Sequence, residues 1–271
     1  MNDKPVLREL SVGELLDKAF RLYRMKFLPL LGITAAVLIP AMLLQILIAA
    51  IWKSEQAVNL FQSLYNFFFS PVILGALVIA VSHTYLSKPF TIKQAFSLGS
   101  QRYGSILGSN FLKGLAIGAP AALLVACSLS GLFLSIVGSV AYIAVAVYLG
   151  NRWSINAETI VLEDKGASDG LQRSWKLTEK HFWRVLGTST AAGILVLLVT
   201  LIPSLSINYL QNWVSIPVTL TLILTSVSSQ LLTALVTPFS TAVSVLIYYD
   251  MRIRVEAFDL EYAIEEPTTG A

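Results

Sequence analysis

Apolar positions in this chain come in long blocks rather than in the short alternations of a soluble fold. From Val185 to Tyr249, 65 residues pass without one Asp, Glu, Lys or Arg. Three shorter uncharged stretches precede it: Phe27–Trp52 (26 residues), Gln56–Ser87 (32) and Gly114–Asn151 (38). A water-facing surface needs charges, whereas ~30 Å of hydrocarbon needs about 20 consecutive apolar residues. The pattern predicts six crossings, over 27–52, 67–86, 105–127, 131–150, 184–203 and 217–249. A very short turn near Ser128–Gly131 joins the third and fourth. The sixth is too long for one straight crossing, since its 33 residues would reach ~50 Å at the rise of an α-helix. It also contains Pro238, so a kink or an extension past the bilayer is expected. The polar-aromatic stretches Ala57–Asn66 and Leu205–Trp213 read as short segments at the outer interface.

Each odd-numbered span follows an amphipathic segment. In the first, Ser11 and Glu14 have capping-box spacing and Leu10 can staple onto Leu15. Val12, Leu15, Leu16, Ala19, Phe20 and Tyr23 then share one face, opposite Glu14, Asp17, Lys18, Arg21 and Arg24, as in a helix lying at a membrane surface. The second segment runs from Thr91, again with a Thr-x-x-Gln box, to Tyr103; the third runs from Ser168 to Lys180. All three enter a span through a basic residue and a Leu-Gly pair ending at Gly32, Gly108 and Gly187, 76 and 79 residues apart. This period suggests three units of surface helix plus helical hairpin, over 8–86, 90–150 and 160–250. The third contains the longest inner loop, Asn151–Asp169.

Composition agrees. Of 271 residues 55% are hydrophobic and only 13% charged, against ~25% in an average soluble domain. A single membrane domain over 1–260 is expected, with 261–271 a disordered tail. The first apolar run is far longer than the core of a secretory signal and reads as a retained helix. With the N-terminus inside, 17 of 19 Lys and Arg residues fall on inner segments, leaving only Lys53 outside and Lys113 within the third span. This bias predicts an inner-membrane protein with both termini cytoplasmic. The basic residues are therefore topology signals, and nucleic acid is not an expected partner.

No catalytic chemistry is visible. His83 and His181 have no partners at zinc-ligand spacing, so no metal or cofactor is expected. A nucleophile elbow is missing, and Gly99–Ser105 lacks the Gly-Lys-Ser/Thr of a phosphate loop. Cys127 reads as a small apolar residue. Lys113 is the charge inside a span, with Gln45, Asn110 and Gln230 as polar neighbours in other spans or its own. It can snorkel to the inner surface or line a path for a solute or headgroup. Pro29, Pro40, Pro71, Pro120 and Pro238 enter spans, as prolines often do in membrane helices. Gly104-x-x-x-Gly108, Gly114-x-x-x-Gly118 and Ser189-x-x-x-Gly193 offer close-packing faces, internal or between copies. The strongest polar cluster is on the inner side. Arg173, Arg252 and Arg254, with Arg21 and Arg24, can form a basic rim for anionic headgroups.

Three blocks carry a family resemblance: Val12–Arg24 followed by Phe27–Leu31; Ile160–Glu163 with Gly170–Leu177 and Phe182–Arg184; and Leu246–Glu256 with Phe258–Leu260. In this order they resemble the membrane-domain family of glycerophosphoryl diester phosphodiesterase, across nearly the whole chain. The resemblance marks Glu163, Ser174, Trp175, Asp250 and Glu256 as motif residues. Gly170 departs from it, where a helix-favouring Ala is expected. A phosphodiesterase barrel takes ~250 residues by itself, so esterase activity is not expected beside these spans.

The expectation is an all-α polytopic membrane protein with six transmembrane helices and three cytoplasmic-side amphipathic helices. Its expected role is a non-enzymatic module that binds lipid headgroups or a protein partner at the cytoplasmic face, with a homo-oligomer as one form of partner. The alternative is a transporter or lipid flippase with a cavity near Lys113.

Overall fold

The computed structural model describes residues 8–128, 132–213 and 217–258. Every regular element among them is a helix. Chain order is α1 (Val12–Met25), α2 (Phe27–Trp52), α3 (Glu55–Tyr85), α4 (Ile92–Ser100), α5 (Tyr103–Ser128), α6 (Leu132–Arg152), α7 (Asn156–Leu162), α8 (Ala167–Glu179), α9 (Phe182–Trp213) and α10 (Val218–Glu256). Among the described residues, five stretches are long and apolar enough to cross a membrane: Phe27–Trp52, Glu55–Tyr85, Ser135–Leu162, Phe182–Leu201 and Thr219–Glu256.

The six long helices close into a ring. Each packs on the next in the order α2, α3, α5, α6, α9, α10, and α10 returns to α2; α3 and α10 also meet across the middle. Their surface-helix ends form the centre of the core. In α3 the run Ala76–Val81 is buried on all sides, and so is most of Ala242–Tyr249 in α10. The outward faces of α2, α6 and α9 instead expose Leu43, Leu47, Val140, Ile143, Leu195 and Leu198. Exposed apolar area of this extent suits hydrocarbon, not water.

Local chemistry starts the surface helices where the pattern places them. Ser11 accepts from the Glu14 amide while the Glu14 carboxylate accepts from the Ser11 amide, at 3.3 and 2.8 Å. Thr91 and Gln94 repeat this at α4. α4 sits directly on α3 because Gly75 and Gly99 meet backbone to backbone; a Cβ on Gly99 would lie 2.4 Å from the Gly75 carbonyl carbon.

Three expectations change. The stretch 57–66 is no separate interfacial segment: α3 begins at Glu55, capped by Ser54, and passes Pro71 unbroken. Likewise α9 runs continuously to Trp213. The inner loop Asn151–Asp169 is partly helical, since α7 folds back into the bundle and buries Asn156 through Ile160. Pro238 leaves α10 a single helix of 39 residues, about 58 Å long at the usual rise. The expected turn at 129–131 and the tail 261–271 lie outside the described residues.

Candidate functional site

The surface-helix end of the bundle carries the charges. Arg173, on α8, donates from Nε to both Glu163 oxygens at 3.0 and 2.7 Å. Its terminal nitrogens reach the two Glu256 oxygens at 2.5 and 2.7 Å. Tyr248 donates to Glu163 at 3.1 Å, and Arg252 Nε to Glu256 at 3.3 Å. The hydrogen bonds to Glu256, followed by those to Glu163, raise the Arg173 pKa above its ordinary value although burial opposes them. This clasp ties α8 and the segment after α7 to the end of α10.

A second clasp surrounds Asp250, whose side chain is 1% exposed. It accepts from the Leu10 amide at 3.0 Å, Arg184 Nε at 2.9 Å and Arg254 Nε at 3.0 Å. Arg254 also reaches Glu9 at 2.6 Å, and Arg184 and Arg254 both donate to the Leu10 carbonyl. The structure therefore brings Arg173, Arg252 and Arg254 near one another, but onto carboxylates. With Arg184 they are four cations facing Glu9, Glu163, Asp250 and Glu256.

Ser174 and Trp175 serve the same docking. Ser174 donates to the Arg152 carbonyl at 2.8 Å, and Trp175 lies 5.0 Å from the Arg152 guanidinium. The Gly170 departure has a steric reason. A Cβ there would lie 2.3 Å from Cγ1 of Ile160, and Thr159 donates to the Gly170 carbonyl at 2.9 Å. Helices α7 and α8 are too close at this point for alanine.

Arg21 and Arg24 are placed differently. With Asp17, Phe20 and Met25 they line an open recess of about 540 Å³ on α1. Phe20 and Met25 are exposed, Arg24 lies 5.9 Å from the Phe20 ring, and the described ion pairs include neither arginine. Burial lowers the Lys18 pKa first, and the charges of Arg8 and Arg21 add to it, so positive charge accumulates on this face.

Lys113 turns to the interior. Its ammonium donates to Asn156 Oδ1 at 2.8 Å, and Asn156 Nδ2 donates to Ser109 at 2.8 Å. Two residues along α7 the wholly buried Glu158 accepts from Ser244 of α10. Sequence reasoning missed Glu158 and Asn156, because an Asn and a Glu in a loop read as solvated. Of the glycine faces, Gly108 meets Ala167, whereas a Cβ on Gly104, Gly114, Gly118 or Gly193 would touch nothing within 4 Å. Among the described residues no three His, Cys, Asp or Glu side chains gather as a metal ion would need.

Residues 125–261 match the family model for the membrane domain of glycerophosphoryl diester phosphodiesterase. The chain belongs to this family. The match takes in the Arg173 clasp, Asp250 with Arg184 and Arg254, and Ser174, Trp175 and Glu158, whereas Glu9, Leu10, Arg21, Arg24 and Lys113 precede it. No curated protein and no solved structure matches the chain.

Proposed function

We propose that this member of the membrane-domain family is a non-enzymatic module of the cell membrane that holds anionic lipid headgroups at its cytoplasmic face through α1. The observation that carries the reading is the recess where Arg21 and Arg24 stand beside the exposed Phe20 and Met25. Guanidinium groups match phosphate bidentately, and juxtamembrane basic residues contribute about 1 kcal/mol each toward anionic lipid. Adjacent apolar side chains let the helix sit at headgroup depth. Arg173, Arg252 and Arg254 act in this reading as the frame that holds the surface helices. The positive-inside bias supports cytoplasmic termini and six crossings, with α5 as the third.

We also read three units in the chain, over 8–86, 90–150 and 160–250. Gly32 of the first meets Ile92, the first residue of α4, and Gly108 of the second meets Ala167, the first residue of α8. The same helix position thus seats the next unit's surface helix twice.

Native mass spectrometry of the full chain in vesicle-derived nanodiscs of phosphatidylglycerol and phosphatidylcholine tests the headgroup reading. Phosphatidylglycerol should be enriched on the protein and lost in Arg21→Gln/Arg24→Gln, but kept in Lys26→Gln. Equal retention of both lipids by the unaltered protein overturns it. A second reading, a transporter, is favoured by Lys113 bonding to Asn156 inside the bundle. It predicts solute or lipid movement in sealed vesicles that stops in Lys113→Met.

A further inference from the structure

The faces of α9 and α10 nearest α7 leave a groove of about 200 Å³. Ser189, Ala192, Gly193 and Val196 form one wall, Ser240, Val243, Ser244 and Ile247 the other, and Ser154 with Ile155 closes one end. These wall positions recur at helical spacing, so each helix turns one small-residue face to the groove. Ser189 and Val196 lie about 10 and 21 Å along α9 at the α-helical rise. The groove therefore occupies the leaflet nearest the surface helices.

Serines supply its polar groups. Ser154 has donated its hydroxyl proton to the Asn151 carbonyl at 2.8 Å, and Ser244 shares its own between Glu158 Oε1 and the Thr241 carbonyl. A serine that has given up its proton presents only lone pairs. Behind Ser244 stands Glu158, 1% exposed, whose second oxygen Oε2 has no hydrogen-bond partner. An unpaired buried carboxylate oxygen is costly. Lys113 donates to Asn156, and no described ion pair joins it to Glu158. No residue that lines the groove is charged, so a cationic donor meets no competing cation there.

We infer that the groove between α9 and α10 binds a primary ammonium group, with Glu158 as counter-ion reached through Ser244. An ammonium brings three donors and one positive charge to hydroxyl oxygens that can accept them. Phosphate is repelled by the carboxylate. A trimethylammonium carries the charge but no N–H, so it leaves the hydroxyl lone pairs unmatched. The amine can belong to an ethanolamine lipid headgroup or to a small free amine. Ile194, Leu197 and Leu198 beside the groove face outward, where acyl chains would lie. This site is separate from the α1 recess and takes the opposite charge.

Nanodiscs holding the full chain with equal phosphatidylethanolamine and phosphatidylcholine, analysed by native mass spectrometry, test this. The protein should retain phosphatidylethanolamine over phosphatidylcholine by about tenfold or more, the scale of one charge-assisted hydrogen bond. Glu158→Gln and Gly193→Leu should each abolish the preference. The second variant leaves every buried charge in place and fills open space, so it decides the matter even where Glu158→Gln fails to fold. Ethylammonium added to nanodiscs without phosphatidylethanolamine identifies the source. Uptake of ethylammonium without lipid preference assigns the site to a free amine, and lipid preference without uptake assigns it to the headgroup. Equal retention of both lipids with no uptake of ethylammonium overturns the proposal. So does a preference that survives Gly193→Leu.

Discussion

Thr34 of α2 places its hydroxyl 3.2 Å from the carbonyl oxygen of Ala234 in α10. That carbonyl is the one Pro238 leaves without its helical donor, because proline has no N–H to offer the residue four positions back. The next carbonyl, Leu235, accepts from Tyr23 of α1 at 3.1 Å. A neighbouring helix thus satisfies the carbonyl that the proline frees, as an apolar surrounding requires. The Thr34 hydroxyl also lies 2.9 Å from its own Leu31 carbonyl, so its single proton is shared. Thr34→Val should destabilise the protein by about 1–2 kcal/mol, the cost of an orphaned buried acceptor. Thr34→Ser should restore most of this. Thermal unfolding in detergent, with the proline intact throughout, reads the difference.

A glutamine junction joins three helices at the other half of the bundle. Gln230 of α10 donates to Gln45 of α2 at 3.0 Å and to Gln62 of α3 at 2.8 Å. Interhelical hydrogen bonds in membranes average ~0.6 kcal/mol, so Gln230→Leu should cost about 1 kcal/mol or somewhat more. Replacing all three glutamines by leucine should cost less than the sum of the three single changes, because no partner is then stranded. Titration into denaturing detergent, followed by circular dichroism, measures this directly. A triple variant worse than the additive sum would show that the junction does more than satisfy its own groups.

The cap of α1 makes stability depend on pH. Hydrogen bonding from Arg8, then from Ser11, holds the Glu14 carboxyl down at about 2, below its ordinary 4.5. A carboxyl with a depressed folded-state pKa contributes stability above its unfolded value and loses it as pH falls through the folded one. The stability gap between the unaltered protein and Glu14→Gln should therefore hold steady above about pH 5, narrow on acidification and vanish near pH 2. Because Glu14 and Arg8 are exposed, added salt should shrink the gap as well. A gap independent of both pH and salt would leave only the neutral part of the cap as its cause.

Much of this was legible in the residues and some was not, for definite reasons. Uncharged stretches found the long helices, because hydrocarbon demands them. Capping boxes found the starts of α1 and α4, because orphan amides there need side-chain acceptors. The family blocks pointed to Asp250, Arg173, Glu163 and Glu256, but not to the partners they bind; pairing of residues 66 or 83 positions apart, as in Arg184–Asp250 and Arg173–Glu256, is set only by tertiary packing. Glu158 was invisible for the same reason. Its burial depends on α7 folding back under α10, and nothing in Asn156–Leu162 distinguishes that from a solvated turn. Gly170 looked like a flaw in a helix until Ile160 was placed against it.

Asp250 should be the least replaceable charge in the chain. It is buried, and it accepts from the Leu10 amide and from two arginines that come from different helices. Asp250→Asn keeps the shape but removes the charge that Arg184 and Arg254 were desolvated to meet. Breaking a buried pair from one side typically costs about 3–5 kcal/mol, since the charge left behind, here above all Arg184, loses its counter-ion. Glu9→Gln acts on the same Arg254 from a side chain that is 60% exposed. Solvent screens that contact, so its loss should cost less than about 1 kcal/mol. The ratio of the two effects in thermal unfolding is the informative quantity. A large loss from Asp250→Asn with a small one from Glu9→Gln identifies the bundle end as a charge-locked anchor for the chain entering α1. Comparable small losses would mean that the arginines find other carboxylates, and that the anchoring of α1 is carried by the apolar contacts of Leu10 and Leu15 instead.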